Sequence, residues 1–361
     1  MRAWIAFLGL FVGCGPLLAA DPTAREPMDE AIDRALLYLK ENQANDGSWS
    51  AGRSGRSDPA ISALCVMAFL SAGHVPGEGP HAEAVERGIR FVASSQQSNG
   101  LFAGQNRGQY EMYYHGICTL MLAETIGLMP NNAEAGKYRA KLEKAVEVIL
   151  RGQRTAGTDA GGWRYQVRGS DSDISVTGWQ LMALRAAKNV GCDVPPEAIE
   201  AAVKYIRRCY DANSGGYRYQ VYSGVTVPCT GTSILALELC GREHHRSREA
   251  MKAGSFILRN PLYVTQTHFF YGVYYTSQAM FQLGDNYWKS YRQTLHQLLL
   301  RDNPPNAAGG WRGRAADDVT FGTNYTTAMG VLALTVEYRF LPIYQRGEEG
   351  NEEGGASRIK R

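Results

Sequence analysis

Side chains that could do chemistry cluster near the starts of several apolar helical segments, where carboxylates and histidines alternate with aromatic rings. Aromatic walls of this kind could stabilise a carbocation through their ring quadrupoles or hold a sugar or peptide by stacking. The alternative is that the rings fill the core while the tyrosine hydroxyls bond to helix ends. The candidate ligand-binding residues are Glu111, Tyr114, His115, Trp179, His268, Tyr271, Tyr275, Asp318 and Tyr325, and the candidate acids are Asp171 and Asp173.

Several classes of function lack their sequence motifs. The sequence has no Gly-x-Ser-x-Gly elbow, phosphate-binding loop or His-Glu-x-x-His helix. Its cysteines form no CxxC pair and have no zinc-like spacing from histidine, so we expect no metal and no other cofactor. Most of the six cysteines beyond residue 20 are predicted to be buried thiols. Lys and Arg number 38 against 35 Asp and Glu, a net charge of +3 that is too balanced to indicate a nucleic-acid partner.

The N-terminus has the features of a secretory signal peptide. Arg2 precedes a short apolar run, and Leu18-Ala19-Ala20 offers the small residues at which such peptides are cleaved. We therefore predict a signal peptide over 1–20 and a periplasmic or extracellular protein. The run is too short for a transmembrane helix, which needs ~20 apolar residues. Lipidation at Cys14 is an alternative that would anchor the chain to a membrane, and the polar stretch 345–361 is predicted to be a disordered tail.

A repeated motif organises the rest of the chain. In each copy a Gln is followed by Gly and an aromatic residue, with an amphipathic helix before it and a helix rich in Ala, Leu, Met and Gly after it. The repeating unit is therefore a helix pair, and six pairs fit between residues 28 and 342. The clear copies run from Gln43 to Trp49, Gln96 to Phe102 and Gln153 to Trp163, and degenerate copies end at Tyr217 and Trp311.

The two helices of each pair differ in polarity. The second helix is apolar on all sides and must be buried, whereas the first keeps a charged face. We therefore predict an inner and an outer layer of helices. Six pairs could form an open solenoid or a closed ring. Because neither 61–70 nor 325–334 has the polar face of a solenoid cap, we predict that the first and last inner helices pack together.

These repeats, with inner helices such as 179–184, resemble the prenyltransferase and squalene-cyclase (terpenoid cyclase-like) repeat superfamily. They are nearest to exported bacterial repeat proteins without assigned activity. The resemblance covers residues 28–342 and implies an all-α fold, an α/α toroid of six helical hairpins with a ligand in its central cavity. It also implies that the Gln and Trp of each motif join neighbouring outer helices.

The resemblance extends only in part to catalytic residues. Class II terpene cyclases use an Asp-x-Asp-Asp motif, in which neighbouring carboxylates keep one acid protonated. The segment Asp171-Ser172-Asp173-Ile174 is similar, with Ile174 in place of the last Asp. It implies Asp173 as the general acid and Asp171 as its partner, while the alternative is that both cap the next helix. The zinc ligands of protein prenyltransferases and the Cys-Gly-Glu-Gln motif of thioester domains have no counterpart.

Two functions follow as hypotheses. The missing aspartate favours a non-catalytic toroid that binds an apolar or aromatic-stacking ligand, such as an isoprenoid or other apolar small molecule. The alternative is a terpene or squalene cyclase-like enzyme that protonates an isoprenoid through Asp173.

Overall fold

The computed structural model describes residues 26–52, 55–104, 109–129, 133–241 and 243–345. The predicted signal peptide, Cys14 and nearly all of the predicted tail lie outside these ranges. Helices in the described part form two concentric layers. The outer helices are α1 (Pro27–Glu41), α3 (Ala82–Ser94), α5 (Ala133–Gly152), α7 (Pro196–Arg208), α9 (Arg248–Arg259) and α11 (Asp285–His296). The inner helices are α2 (Pro59–Ser71), α4 (Glu111–Leu128), α6 (Ile174–Asn189), α8 (Val227–Leu239), α10 (Phe269–Leu283) and α13 (Thr323–Leu334), and a short α12 (Ala316–Phe321) precedes the last of them.

The polarity of each helix explains its layer. Along α1 the buried positions Ile32, Ala35, Leu36 and Leu39 follow helical spacing, and the opposite face is charged. Every residue of α2 is buried, so that helix has protein on all sides. Side-chain caps start three inner helices by accepting a backbone N–H three residues on: Asp58 for α2, Asp173 for α6 and Thr226 for α8.

The inner helices close into a ring. Each packs against the next in chain order, and α13 packs against α2. The outer layer closes in the same way, because Gly309 lies against the carbonyl of Arg34 in α1 just as Gly47 lies against Arg87 in α3. Both glycines have positive φ, 95° and 88°, so any side chain would be strained as well as obstructed. The predicted all-α toroid with a closed ring is confirmed.

The repeated motif joins successive outer helices. The Gln43 side-chain amide donates to the carbonyl of Gly47 at 3.0 Å and to that of Ala84 in α3 at 2.9 Å. Trp49 is buried and donates through Nε1 to Leu39 of α1 at 2.7 Å. Each Gln thus closes its own turn and holds the next outer helix. Equivalent bonds are made by Gln96 to Lys141, Gln153 to Ala198, Trp163 to Ile149 and Trp311 to Leu299.

The last inner helix differs from its prediction. A continuous helix is expected over 318–338, but the helix breaks at Gly322, which has φ 89°, and 335–338 is a 3₁₀ turn. The break has a packing reason, since Gly322 lies directly against Gly52 in the first repeat. The short α12 is thereby turned away from the axis of α13.

Minor elements complete the fold. Two antiparallel ribbons pair 50–51 with 56–57 (β1 and β2) and 217–218 with 225–226 (β3 and β4). Cys65, Cys118, Cys192, Cys209, Cys229 and Cys240 are buried free thiols. No helix within the described ranges is long and apolar enough to cross a membrane.

Candidate functional site

The N-terminal ends of all six inner helices meet at one end of the ring, here called the mouth. A circuit of hydrogen bonds joins each end to the next, so the loops that precede these helices form one continuous surface. Its links are Tyr114 to Asp58 (2.9 Å), Tyr113 to Ser175 (2.5 Å), Ile174 to Tyr219 (2.9 Å), Thr232 to Tyr271 (3.1 Å), His268 to Asp317 (2.8 Å) and Asn324 to Ser50 (3.2 Å).

Aromatic side chains fill the interior of the ring. Trp179 of α6 stacks on Tyr274 of α10 with ring centroids 5.6 Å apart and planes 7° apart, and it meets Tyr275 edge-on at 5.3 Å. Because α8 lies between α6 and α10 in the ring, these contacts cross the interior. Trp179 and Tyr275 are fully buried, and Tyr271 extends the stack toward the mouth, 4.7 Å from Tyr275. The predicted cavity residues Trp179 and Tyr275 are therefore packed against one another.

The C-terminal segment closes the opposite end. Tyr344 bonds through its hydroxyl to Tyr274 at 2.7 Å, and the amide of Ile343 donates to the carboxylate of Glu124 at 3.2 Å. Burial raises the pKa of Glu124 to about 8, against the lowering effect of that amide. Within the described residues, this segment therefore covers the end of the ring opposite the mouth.

Asp173 and Asp171 are held by different partners. One Asp173 oxygen accepts from Ser175 at 2.6 Å and from the Val176 amide at 2.9 Å, which is a helix cap. Arg164 bonds to Asp171, and its Nε lies 3.5 Å from the second oxygen of Asp173. Burial raises the pKa of Asp173, whereas its hydrogen bonds and Arg164 act to lower it. A cation between the two carboxylates replaces the mutual repulsion that would keep one of them protonated.

Asp318 is a buried carboxylate of the mouth whose pKa is raised. It is buried, and neither oxygen has a hydrogen bond of normal geometry. Burial, followed by the charge of Asp317, raises its pKa to about 7, while the Phe270 amide has a smaller opposing effect. The neighbouring Asp317 accepts from the backbone and from the Nδ1 atom of exposed His268, at 2.8 and 2.6 Å. Asp317 and Asp318 therefore lie beside the start of α10, and the raised pKa keeps Asp318 partly protonated near neutral pH.

The other predicted residues occupy mixed positions. Both ring nitrogens of His115 are bonded, to the Phe102 amide at 3.1 Å and the Ala145 carbonyl at 2.9 Å, and burial lowers its pKa to about 4. It is thus a neutral link between layers. Tyr114, Glu111 and Tyr325 are half-buried at the mouth.

Exposed aromatic rings surround the mouth. Of the eight large apolar side chains that are well exposed within the described ranges, five lie between an outer helix and the next inner helix, three of them in loops or turns and two in α12. Four of the five are aromatic and belong to four different inner-helix entries, which makes a ring of stacking surfaces. These rim aromatics are Tyr110, Tyr222, Tyr263 and Phe321, exposed by 50, 85, 62 and 44%.

A groove of about 300 Å³ opens beside the rim between α4 and α6. Three guanidinium groups and one carboxylate line it, together with two tyrosines whose rings meet at 4.9 Å. A second groove of about 590 Å³ adjoins it and includes Glu111 and Arg151. We call the first the arginine groove, and its residues used below are Tyr110, Arg154, Arg164, Tyr165, Arg168, Gly169 and Asp171.

Sequence reasoning missed most of this groove. Arg154, Arg164 and Tyr165 follow the third Gln motif, in a loop without periodic pattern. The four residues inserted in that copy between Gln153 and Gly161 were the one available signal, because a longer loop at a fixed motif often carries function. Tyr222 and Tyr263 were also missed, because they too lie in loops without a periodic pattern.

Comparisons with known proteins address the fold. No protein-family model matches the sequence, and no curated protein does. Among solved structures, the GH76A α-1,6-mannanase of Salegentibacter sp. HEL1_6 matches with a TM-score of 0.66 at 12% identity, over 87% of this chain and 99% of that one. The type II terpene cyclase MstE from Scytonema matches with 0.57 at 16%, over 87% and 99%. The chain has the α/α toroid fold.

The toroid is shared by proteins with different ligands. Protein geranylgeranyltransferase-I of Candida albicans also matches, with a TM-score of 0.52 at 12% identity over 86% of this chain and 90% of that one. In another structure of the mannanase, an inactive variant with two consecutive aspartates changed to asparagine is in complex with α-1,6-mannotriose. The predicted resemblance to terpenoid cyclase-like proteins is confirmed at the level of fold.

Proposed function

We propose that this toroid binds an oligosaccharide across its mouth. The observation that carries the proposal is the set of rim aromatics, four exposed rings on separate entries to inner helices around one opening. The C–H face of a pyranose packs on such rings, and a tyrosine adds a hydroxyl that bonds in the wet surroundings of a sugar. Solitary exposed aromatics need no explanation, but a ring of them around one opening is typical of a binding surface.

Polar groups between the rings fit a sugar better than an isoprenoid. Burial raises the pKa of both Tyr325 and Tyr271. Asp318 adds a smaller effect on Tyr325, and Tyr325 adds a smaller one on Tyr271, so the three residues belong to neighbouring parts of the mouth. Carboxylates and hydroxyls pair with sugar hydroxyls. An isoprenoid would instead need an apolar lumen, and the contacts of Trp179 with Tyr274 and Tyr275 occupy the interior.

The cyclase alternative has weaker support. Asp173 caps α6 and lies next to Arg164, so it lacks the paired-acid environment that the resemblance implied. If the mouth also hydrolyses its ligand, Asp318 is the candidate general acid, because its pKa is raised to about 7. Both of its oxygens are buried, so this role requires the ligand to displace the groups that cover them. Asp317-Asp318 is the one place in the sequence with two consecutive aspartates, and the mannanase neighbour is inactive when such a pair is replaced.

The experiment measures oligosaccharide binding and its dependence on the rim. We expect isothermal titration to detect binding of one of a panel of oligosaccharides that begins with α-1,6-mannotriose. Tyr222→Ala combined with Tyr263→Ala should weaken that binding at least about tenfold, at about 1 kcal/mol per lost aromatic contact. Phe340→Ala is the matched control, because Phe340 is an exposed aromatic near the opposite end, beside Gly73. Unchanged binding by the double variant, or binding of squalene alone, would contradict the proposal.

Export remains part of the proposal. A protein that binds oligosaccharides outside the cytoplasm needs an export signal. Residues 1–20 have the sequence pattern of a secretory signal peptide. Intact mass of the exported protein distinguishes cleavage after Ala20 from a lipid on Cys14, and an uncleaved cytoplasmic chain would contradict export.

A further inference from the structure

The arginine groove has an excess of positive charge close to the mouth. Asp171 is bonded to Arg164. This carboxylate offsets one of the three guanidinium charges of the groove. Arg154 and Arg168 have no ion pair with any carboxylate in the part of the chain that the structure describes. Arg168 is exposed, whereas Arg154 is 8% exposed. A buried cation without a paired anion is costly unless hydrogen bonds or a ligand compensate it.

Backbone carbonyls compensate Arg154 only in part. Its guanidinium donates to the carbonyls of Asp171, Gly152, Val167 and Gln166 at 3.0, 2.6, 3.0 and 3.0 Å. An arginine has five N–H donors, so one N–H on Nη2 is left over. Four bonds fix the guanidinium plane in advance, which lowers the entropic cost of binding a further acceptor.

A glycine keeps that last donor accessible. A Cβ on Gly169 would lie 2.7 Å from Nη2 of Arg154, so any side chain there would press on the guanidinium. Gly169 is also part of the groove wall. Its backbone has no positive φ, so the space it leaves beside Arg154 is the structural reason for a glycine.

Two tyrosines form the other wall. Tyr110 is half-exposed and its ring meets Tyr165 edge-on at 4.9 Å. Its φ of 60° is unusual for an aromatic residue, and conformations of this kind cost about 1 kcal/mol or more and concentrate at functional sites. The Tyr165 ring is covered by Arg164, 4.9 Å from its centroid, and by the stacked ring of Tyr113. Tyr110 is therefore the ring in this groove that a ligand can stack on.

We propose that the arginine groove binds the acidic group of an anionic saccharide, with Arg154 and Arg168 on the anion and Tyr110 on the sugar ring. This inference rests on the proposed function and narrows its ligand class to acidic glycans. A carboxylate on a uronic acid and a sulfate ester share the required chemistry, since both accept charge-assisted hydrogen bonds from guanidinium.

The test compares matched ligands that differ in charge. Tetragalacturonate and its fully methyl-esterified form have the same backbone, and isothermal titration at low salt measures both. We expect the acid to bind about tenfold tighter or more, since a hydrogen bond to a charged group contributes about that factor. Dextran sulfate and dextran form a second pair, which distinguishes sulfate from carboxylate as the source of the charge.

Two variants locate the effect in the groove. Arg168→Gln removes an exposed charge, and Gly169→Ala obstructs Nη2 of Arg154 without removing a charge. Each should reduce the preference for the acid over the ester to within about threefold. Gly224→Ala is the control for the glycine change, because nothing lies within 4 Å of a Cβ there, and it should keep the full preference.

Each outcome decides between the two proposals. Equal binding of acid and ester, or a preference that survives both variants, would overturn the groove assignment and leave oligosaccharide binding intact. Binding of α-1,6-mannotriose without binding of either anionic ligand would do the same. If no saccharide of any kind binds, the proposed function fails and the inference fails with it.

Discussion

Glu124 offers a quantitative test of the packing between the inner ring and the C-terminal segment. It lies buried on α4, where the Ile343 amide donates to it at 3.2 Å. Burial raises its pKa from 4.5 to about 8. The folded protein therefore keeps this carboxyl protonated at pH values where the unfolded chain has released the proton.

The sign and size of the effect follow from linkage. Because the folded-state pKa is raised, the stabilising contribution is complete below about pH 4.5 and is lost as the pH rises toward 8. Each pH unit in that window costs about 1.4 kcal/mol. Relative to a neutral side chain of the same shape, wild type should be about 1 kcal/mol less stable at pH 5 and about 3 kcal/mol less stable at pH 7. Glu124→Gln supplies that neutral side chain and keeps an oxygen for Ile343.

Urea unfolding at pH 5, 7 and 8 measures the difference. We expect the Gln variant to be about 1 kcal/mol more stable than wild type at pH 5 and to gain further stability over it as the pH rises. Glu147→Gln makes the same chemical change on the exposed face of α5 and should shift stability by less than about 0.5 kcal/mol at every pH. A Gln variant that is less stable than wild type at all three pH values would refute the reasoning, because it would mean that the buried charge is favourably paired.

Three further predictions concern the mouth and the ring. Asp318→Asn should be more stable than wild type at pH 8 and similar at pH 4 by thermal unfolding, because the raised pKa of about 7 makes ionisation in the fold unfavourable; a pH-independent difference would contradict this. Gln96→Ala, which loses bonds to Gly100 and Lys141, should cost about 1–2 kcal/mol in urea, whereas the exposed neighbour Gln97→Ala should cost under about 0.5. Gly309→Ala should destabilise by at least about 2 kcal/mol, because it strains φ and collides with Arg34. Gly157→Ala, with positive φ but open space, should cost about 1 kcal/mol, and equal costs would mean that the closing contact adds no stability.

The sequence was sufficient for the helices and their ring because those features have periodic signals. The predicted inner segments 61–70 and 325–334 lie within α2 and α13, and the Gln and Trp bonds agree with what the family resemblance implied. The break at Gly322 was not predictable, since it depends on contact with Gly52, some 270 residues earlier in the chain.

The site was less predictable than the scaffold. Asp171 and Asp173 were found from their resemblance to the Asp-x-Asp-Asp motif, but the cation between them, Arg164, comes from a loop whose shape depends on four carbonyl bonds to Arg154. The filled interior also escaped prediction. The stacking of Trp179 on Tyr274 joins helices that are not neighbours in the ring, and no local pattern encodes such a contact.

The most direct test of oligosaccharide binding is a crystal structure of the protein soaked with the tightest ligand from the titrations. We predict sugar rings at the mouth, stacked on Tyr222 or Tyr263 and within hydrogen-bond distance of the carboxylates there. The interior contacts of Trp179 with Tyr274 and Tyr275 should be unchanged. A ligand found instead between Trp179 and Tyr275, with those rings moved apart, would contradict binding across the mouth. It would show that the ligand binds in the central cavity.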